Sequence, residues 1–369
     1  MRYLRYLLVF VPLAALAWFL AWNSVLIFAF ACVALIPLAG LLGEATEELA
    51  IHTGPKVGGL LNATLGNAAE LIITIVALNA GRVELVKASI TGSILGNLLL
   101  ILGFSLLLGG LKHGIQRFDR TLTGMSGTMM LLAAIGLIIP TLMELVREIE
   151  SGHVDVFDTS VRDPALDAIS LGVAAILIVL YILSLIFTFQ SPGREEHSGV
   201  DDHSAEEEQH KANWSVPFSI GILAASTIAI VFLSELLVGA VEPVVESLGV
   251  SELFLGVIII PIVGNVAEHI VGVQVAIKNK MDLSLTISLG SSMQVALFVA
   301  PLLVFVSLLF GPEMTLFFSL LEVSALTLAV MIATLISVDG ESTWLEGAQL
   351  LAVYIIVALG FYFIRPGGH

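Results

Sequence analysis

Eleven apolar segments, each long enough to cross a lipid bilayer, occupy most of the 369 residues of this chain. A transmembrane helix needs about 20 mainly apolar residues, and the backbone of a membrane segment must pair all its polar groups internally. We therefore interpret the segments as α-helices, at residues 5–22, 24–43, 56–79, 84–109, 120–143, 166–189, 215–239, 253–277, 282–310, 315–337 and 345–364. The sequence predicts an all-α polytopic membrane protein whose surroundings are the lipid bilayer.

The composition excludes several other classes of protein. Hydrophobic residues make up 57% of the chain and charged residues only 12%, whereas a soluble domain has about 25% charged residues. The mean hydropathy of +1.01 agrees with a membrane protein. A net charge of −16 argues against a nucleic-acid partner. Because Cys32 is the single cysteine, disulfides within the chain and cysteine-rich metal sites are excluded.

The positions of lysine and arginine predict the orientation in the membrane. With the N-terminus inside, the inner segments carry ten basic residues and the outer segments five. We therefore expect a cytoplasmic N-terminus. The short loops favour a prokaryotic plasma membrane, and a vacuolar or other organelle membrane is the alternative.

An internal repeat relates the two halves of the chain. Polar residues and glycines recur at a constant offset of 198 positions: Glu44 with Glu242, Glu48 with Glu246, Gly66-Asn67 with Gly264-Asn265, Glu70 with Glu268, and Gly92-Ser93 with Gly290-Ser291. Each half holds five predicted spans, and because five is odd the second half must enter the membrane inverted. Inverted repeats of this kind are typical of transporters, with the substrate site near the midplane.

The repeat predicts four parts of the chain. Residues 1–23 form an additional N-terminal transmembrane helix, residues 24–189 the first five-helix repeat, and residues 215–369 the second. Between the repeats, residues 190–214 form an acidic, histidine-rich cytoplasmic linker. The linker either simply joins the halves or also senses the cytoplasm, since histidine titrates near physiological pH.

Two glutamates, Glu70 and Glu268, lie near the centres of their spans at equivalent positions of the repeat. A carboxylate at the bilayer centre costs on the order of 2.5–3.5 kcal/mol on insertion scales. Packing does not explain two such costs at matched positions. We therefore expect the pair to have a function that offsets this cost.

The residues just before each glutamate add further oxygen atoms. Asn67 and Asn265 share a helical face with the glutamates, and Gly66 and Gly264 weaken the helix, so that unwound backbone would offer carbonyl oxygens. Carboxylate, amide and carbonyl oxygens suit a hard cation such as calcium. The alternative is structural, with glycines for close packing and asparagines bonding across helices.

The next span of each half supplies hydroxyl and amide groups that would ligate the cation, brace the glutamates, or merely bond helix to helix; these are Ser93, Asn97, Ser291, Ser292 and Gln294. His269 points about 100° away from Glu268 around the helix, and is either part of a proton path or a buried, satisfied histidine. Acids near the span ends would concentrate cations or simply be solvated; these are Glu44, Glu47, Glu48, Glu242 and Glu246.

At these residues the chain resembles the calcium/proton exchanger (CAX) family of the cation/calcium exchanger superfamily. The resemblance is carried by Ala45–Ala50, Gly66–Glu70, Gly264–His269, Gly290–Phe298 and Asp339–Gly347. One departure is Ala69, where the family often has threonine. The resemblance implies calcium as the substrate and protons as the driving ion.

The sequence thus predicts a secondary antiporter, not an enzyme, that exports Ca²⁺ in exchange for H⁺, with Glu70 and Glu268 alternately binding cation and protons. No cofactor is expected beyond the transported ions, and the sequence is compatible with a homo-oligomer. A sodium-coupled exchanger is the first alternative, and a cation channel is the second. An intramembrane enzyme is disfavoured because the sequence lacks a His-Glu-x-x-His helix.

Overall fold

The computed structural model describes residues 4–151, 164–190, 212–310 and 313–363. These residues form twelve helices and one pair of short strands. The helices are α1 (Leu4–Phe19), α2 (Ser24–Thr53), α3 (Pro55–Leu65), α4 (Ala68–Asn79), α5 (Val83–His113), α6 (Arg120–Ser151), α7 (Pro164–Gln190), α8 (Val216–Leu248), α9 (Glu252–Ile277), α10 (Met281–Ser307), α11 (Leu320–Ile336) and α12 (Trp344–Phe363). Most of the predicted linker, residues 191–211, lies outside the described residues.

Eight of these helices have the length and hydropathy of membrane spans, namely α2, α5, α6, α7, α8, α9, α10 and α12. The pair α3 and α4 forms a ninth candidate, bent by 41° at its break. Helices α1 and α11 are apolar but shorter. The predicted all-α membrane fold is therefore confirmed, whereas the number of eleven spans stays a prediction.

Helical irregularities recur at matching positions of the two halves. A π-helical turn covers Gly96–Ile101 in α5, and a second covers Val295–Val299 in α10. Adding the repeat offset to the first turn places it on the second. Such turns are rare and often accompany functional sites. The match supports a common architecture for the two halves, beyond their shared residues.

The two glutamate spans are built differently, which corrects one expectation. In the first half the helix does break at Gly66-Asn67, between α3 and α4. In the second half α9 continues unbroken through Gly264-Asn265, so the prediction of unwound backbone there is wrong. The irregularity of α9 is instead a π-helical turn at Leu255–Ile259, upstream of the glutamate. The backbone groups around Gly264 therefore remain paired within the helix.

The core forms where the two halves interlock. Helix α2 packs along its repeat equivalent α8, and α5 packs against α4, α9, α10, α11 and α12. As a result α5 is surrounded by helices on every side, and nearly all residues from Leu85 to Leu99 are buried. Helix α5 therefore contacts helices of both halves at once.

Contacts between loops assign the helix ends to two faces. Strand β1 (Gln116–Arg117), after α5, pairs antiparallel with strand β2 (Glu341–Ser342), between α11 and α12. At the opposite end of α5, Arg82 forms an ion pair with Glu242 at 2.5 Å. These contacts agree with helices that cross the membrane alternately in the predicted order.

The crossing of α5 and α9 generates a prediction for a matched pair of glycines. A Cβ atom on Gly92 would lie 2.1 Å from the carbonyl oxygen of Val257, whereas one on Gly290, its repeat equivalent, would meet nothing within 4 Å. Overpacking costs about 1–3 kcal/mol. Gly92→Ala should therefore lower the melting temperature of the detergent-solubilised protein or prevent folding, and Gly290→Ala should leave it unchanged or raise it slightly. Equal melting temperatures for the two variants would contradict this crossing geometry.

Candidate functional site

Glu70 lies in the first turn of α4, directly after the helix break, and its side chain is only 6% exposed. The break puts a helix N-terminus inside the protein, where the helix dipole favours a negative charge. Carboxylate oxygen Oε1 accepts a hydrogen bond from the Ser93 hydroxyl at 2.6 Å and another from the side-chain amide of Asn265. Within the described residues, Oε2 has no hydrogen-bond partner.

A second chain of polar contacts joins α5, α10 and the helix break before α4. The Asn97 amide donates to the Ser291 hydroxyl oxygen at 2.9 Å, and the Ser291 hydroxyl donates to Asn67 Oδ1 at 3.1 Å. The Asn67 amide donates in turn to Gln294 Oε1 at 2.7 Å. Every one of these bonds joins the first half to the second. The polar residues predicted from the repeat therefore meet at the interface between the halves.

Glu268 interacts electrostatically with Glu70 and also with the Ser291 hydroxyl. Its Oε2 atom is buried and has no hydrogen-bond partner among the residues that the structure describes, and the same holds for Asn97 Oδ1. Together with Glu70 Oε2, three buried acceptor oxygens are left for another ligand. Leaving buried acceptors unpaired costs free energy, and a bound hard cation would recover that cost.

Among the described residues, the site contains two carboxylates. In the described part of the chain, no group of three or more His, Cys, Asp or Glu side chains is placed to hold a metal ion. The remaining oxygen ligands would therefore come from amides, hydroxyls, the backbone or water. Gly264 contributes through its small size, since a Cβ atom there would lie 3.3 Å from Glu70 Cγ.

Two predicted site residues stand apart from this network. The Ser292 hydroxyl donates to the Ser288 carbonyl oxygen of its own helix at 2.9 Å, so it is engaged away from the glutamates. The Nε2 atom of His269 is buried, with no hydrogen-bond partner in the described residues. In the described residues, His269 Nε2 therefore lacks the hydrogen-bond partner that a purely structural role of this histidine would require.

The five acids predicted to concentrate cations are not one cluster. Glu44 forms an ion pair with Arg5 at 2.8 Å, and Glu242 forms one with Arg82. Glu48 is buried and accepts hydrogen bonds from the backbone amides of Asn213 and Trp214. Glu47 and Glu246 are exposed. Because α2 and α8 end on opposite faces, the acids divide between two mouths, and three of them already have partners.

The sequence analysis missed a further acid that is buried within a span. Glu322 is 1% exposed and lies in the first turn of α11, where Ser319 caps the helix. It falls inside the predicted span 315–337. Because acids are rare within membrane spans, this position could have been recognised from the sequence. Lys87, 1% exposed in α5, was counted with the outer basic residues although it is fully buried.

Comparison with known proteins identifies the family. The sequence profile of the sodium/calcium exchanger protein family matches residues 23–190 and 218–363. The chain belongs to this family. A Ca²⁺/H⁺ antiporter of Aphanothece halophytica is 43% identical over 366 residues, which cover 97% of this chain and 95% of the relative. The Ca²⁺/H⁺ antiporter ChaA of Bacillus subtilis is 41% identical, with 96% and 97% covered.

Solved structures of exchangers have the same fold. Native YfkE, at 38% identity, superimposes with a TM-score of 0.81 over 98% of this chain and all of that chain (100%). The H⁺/Ca²⁺ exchanger CAX shares 14% identity and a TM-score of 0.69, covering 97% of this chain and 91% of that one, which supports the fold alone. The resemblance read from the motifs is therefore confirmed.

Proposed function

We propose that this protein is a secondary antiporter that exports Ca²⁺ across its membrane in exchange for H⁺. The observation that carries the proposal is the pair Glu70 and Glu268, contributed by opposite halves and interacting electrostatically, each with a buried oxygen that lacks a partner among the described residues. The nearly full-length similarity to proteins named Ca²⁺/H⁺ antiporters supports the choice of ions.

The proposed mechanism is competition between Ca²⁺ and protons for the same two carboxylates. When both are ionised, their two negative charges balance one divalent cation. When each carries a proton, the pair is neutral and has lost its attraction for the cation. In either loaded state the site has no net charge, which permits the helices to rearrange around it inside the membrane.

The same charge balance explains why ion movement would be coupled. An empty, ionised pair would leave two uncompensated negative charges in a low-dielectric interior, and such charges are costly. The protein would therefore change its access only after Ca²⁺ or protons have bound. A channel needs no such restriction.

The surrounding polar residues would orient the glutamates and complete the coordination. Calcium takes six to eight oxygen ligands, more than two carboxylates provide. Asn97 Oδ1 is free to contribute, while Ser93 and Asn265 bond to Glu70 Oε1 and leave Oε2 directed elsewhere. Asn67, Ser291 and Gln294 would hold the two halves in register through their mutual bonds.

Sodium-coupled exchange is the second candidate, because the family takes its description from sodium/calcium exchangers. Calcium uptake into reconstituted vesicles, driven by an imposed pH gradient in sodium-free buffer, separates the two functions. Uptake that requires sodium and does not depend on the pH gradient would show that sodium, and not the proton, is the counter-ion. Flux that continues without any counter-ion gradient would indicate a channel.

Substitution of the glutamates tests the shared site. Glu70→Gln and Glu268→Gln should each abolish Ca²⁺/H⁺ exchange in vesicles, since glutamine keeps the shape but neither ionises nor carries a proton. Aspartate at either position should retain partial activity, because the charge survives and only the reach shortens. Both glutamine variants should still fold, as removing a buried acid relieves an insertion cost. Full exchange in both glutamine variants would assign the coupling to another group.

The pH dependence of Ca²⁺ binding tests the competition directly. Lowering the pH should weaken binding, because each competing proton raises the apparent Kd by up to about tenfold per pH unit. Two carboxylates give a limit of about 100-fold per unit. Titration of the solubilised protein with Ca²⁺ at several pH values measures this slope. Glu268→Gln should reduce it to that of one proton, and a Kd independent of pH would disprove the competition.

For the location we propose a prokaryotic plasma membrane with a cytoplasmic N-terminus and linker. Bacterial relatives support it, although a vacuolar calcium ion transporter of Schizosaccharomyces pombe is 37% identical over 98% of this chain. In a Cys32→Ser background, Ile115→Cys should react with an impermeant maleimide only in inverted vesicles, and Ala80→Cys only in intact cells. Both sites are exposed, on opposite ends of α5. The reverse labelling pattern would invert the proposed orientation.

A further inference from the structure

A buried cluster of charged and polar side chains (Lys87, Thr91 and Glu322) links α5 to α11, away from the glutamate pair. Lys87 and Thr91 lie one helical turn apart on α5, and Thr91 contacts Glu322 at the start of α11. The Thr91 hydroxyl donates to Glu322 Oε1 at 3.2 Å, and the Ser319 hydroxyl donates to Oε2 at 2.7 Å. Lys87 forms an ion pair with Glu84 at 3.4 Å, and both of these charges act on Glu322. Lys87, Thr91 and Glu322 are each at most 1% exposed.

The second half of the protein has no counterpart of this cluster. At the repeat offset of 198, Lys87 corresponds to Leu285, Thr91 to Leu289, and Glu322 to Gly124. Helices α10 and α6, which carry those residues, still pack against each other. Buried ion pairs are on average no more stabilising than apolar packing of similar volume. The fold therefore does not require these charges, and their presence in one half calls for another reason.

The cluster lies directly behind the residue that contacts Glu70. Thr91 and Ser93 are two positions apart, so they point about 200° apart around α5. One face of α5 is thus bonded to Glu322, while the other presents the Ser93 hydroxyl to Glu70 at 2.6 Å. Rotation or sliding of α5 would break both contacts together.

The two glutamates of the proposed site also differ in their hydrogen-bond donors. Glu70, on the side of the cluster, has Oε1 held by Ser93 and Asn265. In the second half the equivalent serine, Ser291, interacts with Glu268 but also donates to Asn67 Oδ1 at 3.1 Å. Glu70 therefore has two donors on one oxygen, whereas the single hydroxyl proton of Ser291 serves two acceptors.

We propose that Glu322 is a positioning residue for ion exchange: it accepts the Thr91 hydrogen bond, holds this face of α5 in place, and thereby directs Ser93 toward Glu70. Glu322 does not itself contact the transported ion. This inference rests on the proposed Ca²⁺/H⁺ exchange at Glu70 and Glu268. Glu70 is then the pre-oriented ligand of the pair.

Thr91 offers the cleanest test, because it can be changed without removing a buried charge. Thr91→Val keeps the shape and loses the hydroxyl, Thr91→Ser keeps the hydroxyl, and Thr327→Val is a matched control whose hydroxyl bonds only to its own helix, to the Val323 carbonyl at 2.7 Å. In vesicles, Thr91→Val should raise the KM for Ca²⁺ by about tenfold with kcat within about twofold. Thr91→Ser and Thr327→Val should match the wild type.

The Ser93→Ala background distinguishes positioning from general stability. If Glu322 and Thr91 act through Ser93, then Thr91→Val should add less than about twofold to the KM once Ser93 is alanine. Glu322→Gln should follow the pattern of Thr91→Val: it should raise the KM in the wild-type background and add little once Ser93 is alanine. An equal factor in the two backgrounds, or a Thr91→Ser variant as impaired as Thr91→Val, would overturn the inference. Should Glu322→Gln fail to fold, the Thr91 series decides the question alone.

A binding measurement keeps this inference separate from the proposed function. The same Thr91 variants are titrated with Ca²⁺ in detergent, where no proton gradient is needed. If the wild type binds Ca²⁺ but shows no pH-driven uptake, the antiport proposal fails, and the Kd values still test the positioning. If the wild type exchanges normally and the Kd values of all Thr91 variants are equal, the positioning proposal fails and antiport stands.

Discussion

The cost of burying two carboxylates inside a membrane protein governs the arrangement around them. Glu70 lies in the first turn of a helix, and one of its oxygens accepts hydrogen bonds from a hydroxyl and an amide. Glu268 interacts with the Ser291 hydroxyl, and its Oε2 is left without a partner in the described residues. A site that is only partly satisfied by the protein is one that a cation or a proton completes. In the proposed mechanism this incompleteness is what couples the two ions.

The helix irregularities serve the same requirement. Regular α-helices pair their own backbone and leave little for a ligand or a carboxylate. Breaking the first glutamate span at Gly66-Asn67 turns a helix end toward Glu70, whereas α9 stays continuous past Asn265 and offers a side-chain amide instead. The two halves thus contribute different groups to one site. Equivalent sequence positions need not have equivalent surroundings, because each half packs against the other and not against itself.

This asymmetry extends beyond the glutamates. The cluster of Lys87, Thr91 and Glu322 has apolar residues and a glycine at its repeat positions, and the glycine at the α5–α9 crossing is tightly packed while Gly290 is open. In an exchanger with two identical halves, the inward-facing and outward-facing states would have equal free energies. Departures from the repeat are therefore the places where a preference for one carboxylate, or for one side of the membrane, is built in. Family membership alone does not locate them.

The sequence by itself determined the membrane class, the two-fold division of the chain and the positions of Glu70 and Glu268. These are properties of hydrophobic length, of residue identity at a fixed offset, and of the solvation cost of single groups, so none of them requires knowledge of contacts. It also predicted that polar residues of both halves would meet, but not which would bond to which. Asn265 reaches Glu70 and Ser291 reaches Asn67 across helices that are distant in sequence. Only the packing decided that, just as it decided that α9 remains unbroken at Gly264 and that Glu322 fastens α5 from behind. Side-chain partners separated by about two hundred residues are chosen by how the helices are rotated and offset, and local sequence carries no measure of either.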